Sequence, residues 1–96
     1  MIDADKLVAS MIVHCHDSDE WDAVMQAIHD NNPKSNVYRF DGNNDCIRIV
    51  YGANGLDWRR SPYSYYYNAG LTITEFSDLC PDYTETQGIN FEDLWN

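Results

Sequence analysis

His14-Cys15-His16 sets two imidazoles and a thiol on successive residues, and both groups are zinc ligands. Two further thiols, Cys46 and Cys80, and one further imidazole, His29, complete the set. Such residues can build a tetrahedral metal centre, or a Cys–His pair in which a base activates a thiolate. The spacing speaks against a metal. The apolar pattern around these residues reads as a helix, on which neighbours point about 100° apart, and structural zinc sites space their ligands by two to four residues. Neither Cys46 nor Cys80 lies in a recognisable nucleophile motif, and free cysteines are among the most often buried residues. The expectation is therefore no metal, no cofactor and no catalytic residue, with the histidines at a helix end against its last carbonyls and dipole.

Carboxylates are the more unusual population. The 96 residues carry 16 Asp and Glu against 6 Lys and Arg, a formal net charge of -10. Residues 1–33 hold a net of -6, residues 34–60 a net of +2, and residues 61–96, which have no base, again -6. Affinity for DNA, RNA or an anionic membrane comes largely from Lys and Arg, so direct binding to any of these is disfavoured and a basic protein groove is attracted instead. A duplex carries about one charge per 1.7 Å of axis, so a protein that imitates it needs many separated carboxylates. Asp19, Glu20, Asp22 and Asp30 supply one set. Glu75, Asp78, Asp82 and Glu85, spaced by three, four and three residues, supply another, although Pro81 interrupts any single helix through them. These eight are the candidate partner-binding residues. The plain alternative is that each is a solvated outward position that keeps a small protein soluble. Acid–base catalysis would require a cleft that shifts their pKa values.

Arg59-Arg60-Ser61-Pro62-Tyr63-Ser64-Tyr65-Tyr66-Tyr67 joins two cations to four tyrosines, the kit with which single-strand binders grip phosphates and bases. The flanking negative charge would repel a nucleic-acid strand. An amphipathic strand with rings packed at one end and wet at the other, or a protein-interaction surface, fits better.

The length suits one domain spanning residues 1–96, and 44% hydrophobic residues with three Trp, seven Tyr and three Phe suffice for a core. Leu7, Met11 and His14, with Val8, Ile12 and Cys15 beside them, predict a first helix over residues 3–15. A second opens at Asp17, whose side chain can cap while Glu20 reaches back. It continues through Trp21, Val24, Met25 and Ile28 and stops at Asn31-Asn32-Pro33. Residues 36–51 read as a β-hairpin, Val37–Phe40 against Cys46–Tyr51 across a Gly42–Asp45 loop. That register sets Arg39 opposite Arg48, a like-charge pair calling for a carboxylate from elsewhere. Gly52-Ala53-Asn54-Gly55 reads as a loop, and Tyr63, Tyr65 and Tyr67 as a further strand after Pro62. Leu71–Cys80 reads as a short strand leading into a short helix near Glu75 to Leu79, capped by Thr74 or Thr72 and ended by Pro81. Phe91, Leu94 and Trp95 suggest a terminal helical turn or an anchor for a partner. The expected fold is α+β, two N-terminal helices on a three- to four-stranded antiparallel sheet with a short third helix.

No charged-then-apolar leader and no run of about 20 apolar residues is present, and three widely spaced cysteines do not read as a disulfide framework. The expected setting is the cytoplasm. In length, acidity, aromatic content and the acidic Asp17 to Asp30 helix, the chain resembles the small acidic proteins that bacteriophages use against host defences, namely DNA-mimic anti-restriction proteins of the Arn type and anti-CRISPR proteins. The resemblance is one of class and matches no family motif. It implies an inhibitor, not an enzyme, that works in the host-cell cytoplasm. Such an inhibitor occupies the basic DNA- or RNA-binding surface of a host nuclease or another nucleic-acid-handling protein, and a homodimer would lengthen its acidic surface. The alternative is an adaptor or antitoxin-like module that binds through Tyr63 to Tyr67 and the Phe91, Leu94, Trp95 tail.

Overall fold

The computed structural model describes Ile2 and residues 4–80. The expected terminal turn at Phe91, Leu94 and Trp95 lies outside the described residues, as do Asp82 and Glu85. A 3-10 turn, Ala4–Lys6, leads to β1 (Ile12–His14), α1 (Ser18–Asn31), β2 (Cys46–Gly52), β3 (Gly55–Ser61), α2 (Tyr63–Asn68), β4 (Thr74–Glu75) and α3 (Phe76–Leu79). The class is α+β. The strand order is β3-β2-β1-β4, and the sheet is mixed, because β4 runs parallel to β1 while the other pairs are antiparallel.

The helix expected over residues 3–15 does not form in the described part, residues 4–15. Only one 3-10 turn forms, and the chain then turns at Ser10, whose φ of 70° is left-handed, into β1. Met11-Ile12-Val13 is too short and too β-branched to compete as a helix once an edge is available. Ser10 N–H donates to Ile49 O at 2.7 Å and Ile49 N–H to Met11 O at 2.7 Å, which locks this segment onto β2. Alternation then sends Val13 and Cys15 to one face of the sheet and Ile12 and His14 to the other.

The second expected helix forms as α1. Asp17 caps it, its Oδ1 accepting Glu20 N–H at 2.9 Å, while Glu20 Oε1 reaches back to His16 N–H at 2.7 Å. Trp21, Val24, Met25 and Ile28 join Val13, Ile47, Ile49, Leu56 and Trp58 in the main core. Pro33 follows the last turn, and the helix end holds the start of β3: Asn32 Nδ2 donates to Leu56 O at 2.8 Å, and Asn31 Oδ1 accepts Leu56 N–H at 3.0 Å. Gly55 has a φ of +118°, and a Cβ there would stand 2.8 Å from Asn31 Oδ1, so both backbone and space require glycine.

The hairpin partner differs from the expected one. Cys46–Gly52 pairs with Gly55–Ser61 around Ala53-Asn54, not with Val37–Phe40. Residues 36–40 carry no strand, and two of their carbonyls are taken by indoles: Trp58 Nε1–H donates to Asn36 O and Trp21 Nε1–H to Tyr38 O, each at 2.8 Å. The like-charge pair persists with a different member, Arg59 opposite Arg48.

Tyr63–Asn68 is a helix and not a strand. Pro62, with φ −62°, presets its start, and Tyr66 alone turns inward. With Ile12 and Cys46 it forms a second, smaller core on the sheet face opposite α1, and Ile73 packs against it. The expected strand-to-helix step near residue 75 is present, but Glu75 and not a threonine occupies the N-cap of α3, without capping it. Among the described residues no helix is long and apolar enough to cross a membrane.

Candidate functional site

His14 is the last residue of β1 and sits beside Cys46 of β2 on one side and Glu75 of β4 on the other. Its side chain emerges on the face that α2 covers. Two residues on, just past the end of β1, His16 lies close by, and the two rings stand 4.3 Å apart between centroids. The Glu75 carboxylate fills the gap: its Oε2 is 2.8 Å from His14 Nδ1 and its Oε1 is 2.9 Å from His16 Nε2. On the far side of the His14 ring, Nε2 meets Asp45 Oδ2 at 3.1 Å. Asp45 is itself fixed, because its Oδ1 accepts the Tyr63 N–H at 2.8 Å and its carbonyl accepts Cys15 N–H at 2.9 Å. The Tyr63 ring closes one flank, 4.7 Å from that of His14.

Partial burial pushes the Glu75 carboxyl up, but hydrogen bonds and positive charge from His14 and His16 outweigh it and hold this acid below its ordinary range. The neighbouring thiols move the other way. Burial pushes Cys15 far above the usual thiol range, helped by the Glu20 carboxylate, and pushes Cys46 up to about 12, helped by Asp45 and Glu75. Both shifts disfavour the thiolate, the form in which a cysteine acts as a nucleophile.

His14, His16 and Glu75 each offer one ligand atom, and these atoms lie within 4.8 Å of one another. On a helix these two histidines would point about 200° apart. Here β1 ends between them, and the His-x-His spacing brings both rings to Glu75. Glu75 stands 61 residues from His14, and no local pattern signals their meeting.

Of the eight expected carboxylates, the six among the described residues have different surroundings. Glu20 is committed to the α1 cap and Glu75 to the histidines. Asp19, Asp22 and Asp30 fall within a sector of roughly 80° on the side of α1 opposite its buried residues, spread over about 16 Å. Asp30 accepts Gln26 Nε2–H at 2.7 Å. Burial and then the Asp19 charge raise the Asp22 carboxyl above its ordinary value, which Arg39 only partly offsets. Asp78 is exposed on α3.

The Arg–Tyr kit is split as well. Arg60 lies over Tyr38, 5.1 Å from the ring centroid, with Asp41 at 3.6 Å, while Tyr65 and Tyr67 stand 62% and 65% exposed on α2. Tyr63 and Tyr67, one turn apart, stack at 5.8 Å.

No family model, curated protein or solved structure matches this chain.

Proposed function

We propose that this chain is a binding protein, not an enzyme, that inhibits a basic, nucleic-acid-handling protein of its host cell's cytoplasm by presenting carboxylates where phosphates would lie. The observation that carries this reading is the row Asp19, Asp22 and Asp30 along a helix that contains no Lys or Arg. Burial and then the Asp19 charge disfavour the ionised Asp22 carboxylate, which Arg39 only partly offsets, so a guanidinium or ammonium from a partner would be favourable there. Asp78 adds to this charge as a further phosphate surrogate. Asp82 and Glu85 remain candidates from the sequence, whereas Glu20 and Glu75 already have roles inside the fold.

The test is capture from a bacterial lysate on the tagged, full-length chain, followed by elution with duplex DNA or with rising salt. A nuclease, helicase or polymerase released by both, and not retained by Asp19→Lys/Asp22→Lys/Asp30→Lys, supports mimicry. Equal retention by the charge-reversed variant rules it out.

A second reading has its own observation. Tyr63, Tyr65 and Tyr67 are exposed on one short helix, and tyrosine is enriched at binding hot spots. An adaptor working through that surface would hold its partner in high salt and lose it on Tyr65→Ser/Tyr67→Ser.

A further inference from the structure

Apart from the acidic face, the seam between β1 and β4 holds a donor set that the binding role does not use. Its geometry demands a positive centre. A neutral imidazole has one N–H; when His14 Nε2–H points at Asp45, its Nδ1 lone pair faces Glu75 Oε2 at 2.8 Å. Two lone pairs at that distance repel unless a cation lies between them. A proton is one such cation. Two features go beyond what a proton needs. A third donor, His16 Nε2, converges on the same carboxylate, and an outer carboxylate, Asp45, takes the other nitrogen of His14 and is itself anchored by a backbone N–H. Metal-ligating histidines are held in this way, through a carboxylate or carbonyl on the nitrogen that faces away from the ion.

We infer that His14 Nδ1, His16 Nε2 and the Glu75 carboxylate form a binding site for a divalent transition-metal ion of the zinc type. Imidazole and carboxylate together suit Zn2+ and its first-row neighbours, whereas Mg2+ and Ca2+ take oxygen ligands. Zinc bound at about 2.0–2.2 Å places its ligand atoms roughly 3.3 Å apart in a tetrahedral shell. The present atoms, all within 4.8 Å of one another, lie near that spacing. Three protein ligands leave a fourth position for water or for a donor from a partner. Entry is open on the His16 side, where that side chain is 56% exposed, against 15% for His14. The buried Cys15 between the histidines points to the opposite face and takes no part. An ion here ties the two-residue strand β4 and the following α3 to β1 with bonds stronger than the short ladder alone.

The experiment titrates the full-length, metal-stripped chain with Zn2+ by calorimetry, with Co2+ as the absorbing probe and thermal melting as a second readout. One ion per chain, a visible Co2+ band of low-coordinate type and a raised melting temperature are expected. Asp45→Asn should weaken Zn2+ binding by about 10–100-fold. His16→Ala should weaken it further, and because His16 is exposed the variant still folds. Asp19→Asn/Asp22→Asn/Asp30→Asn should bind Zn2+ as the parent does. Absence of Zn2+ binding would overturn the inference. So would binding that survives His16→Ala, that vanishes in the triple Asn variant, or that Mg2+ displaces.

Discussion

Carboxylates do opposite things in the two charged regions of this molecule. At the β1–β4 seam Glu75 lies between two imidazoles, and its pKa is lowered. On the outer face of α1, Asp22 has another carboxylate for its neighbour, and its pKa is raised. Burial is the largest single contribution at each and raises both; the imidazoles outweigh it at Glu75, whereas at Asp22 the Asp19 charge adds to it and Arg39 only partly offsets the two. A seam whose charges already answer one another holds its shape and can organise an ion. On the function proposed above, the α1 face gains by meeting a cationic partner. The net charge of the chain conceals this division.

The largest effect that would break the comparison is on the α1 face. Asp19→Lys/Asp22→Lys/Asp30→Lys should abolish partner capture while leaving Zn2+ affinity and the circular-dichroism spectrum those of the parent. A loss of Zn2+ binding in that variant would show the two regions to be one. Next comes Asp45→Asn, expected to weaken Zn2+ by about 10–100-fold with partner capture unchanged. Smaller again is Asp17→Ala, which removes the α1 cap between the two regions and should cost about 1 kcal/mol in urea denaturation.

The smallest effects are in pH dependence, and they differ in sign. Glu75 is depressed in the folded chain, so its contribution is present above the ordinary carboxyl range and is lost as acid protonates it. Glu75→Gln should therefore flatten the fall in stability on acidification below about pH 4.5. Asp22 is raised, so the unfolded chain gives up that proton first and stability falls as pH rises through the folded value. At neutral pH Asp22→Asn relieves the repulsion and should raise the melting temperature by about 1–3 °C, the scale of a like-charge pair on a helix surface. A lowered melting temperature would show that attraction to Arg39 governs Asp22.

What was legible in the sequence followed from signals complete within a few residues. Asp17, Glu20 and Pro33 bound α1, and the apolar spacing of Trp21, Val24, Met25 and Ile28 named its buried face. The remainder depended on choosing between competing local signals. Leu7, Met11 and His14 match a helical period, but Ser10 breaks it and Ile12–His14 pairs with β2. Gly42–Asp45 resembles a hairpin turn and competes with Gly52–Gly55, whose Ala53-Asn54 link is the one that joins β2 to β3. The three alternating tyrosines suggested a strand, yet Tyr66 between them is the buried one. The seam is not legible on a helical reading of residues 3–15, since a helix would turn His14 and His16 to different sides. Glu75 reaches them through parallel pairing, which leaves no mark on nearby sequence.

The most direct test of the account is the salt dependence of partner affinity, with the captured protein purified and bound to the parent chain and to Asp19→Asn/Asp22→Asn/Asp30→Asn. Recognition by the α1 carboxylates predicts that the parent's dissociation constant rises steeply with salt, that duplex DNA competes, and that the variant binds weakly with a shallow slope. Equal affinities and equal slopes for the two chains, with no competition by DNA, would contradict it.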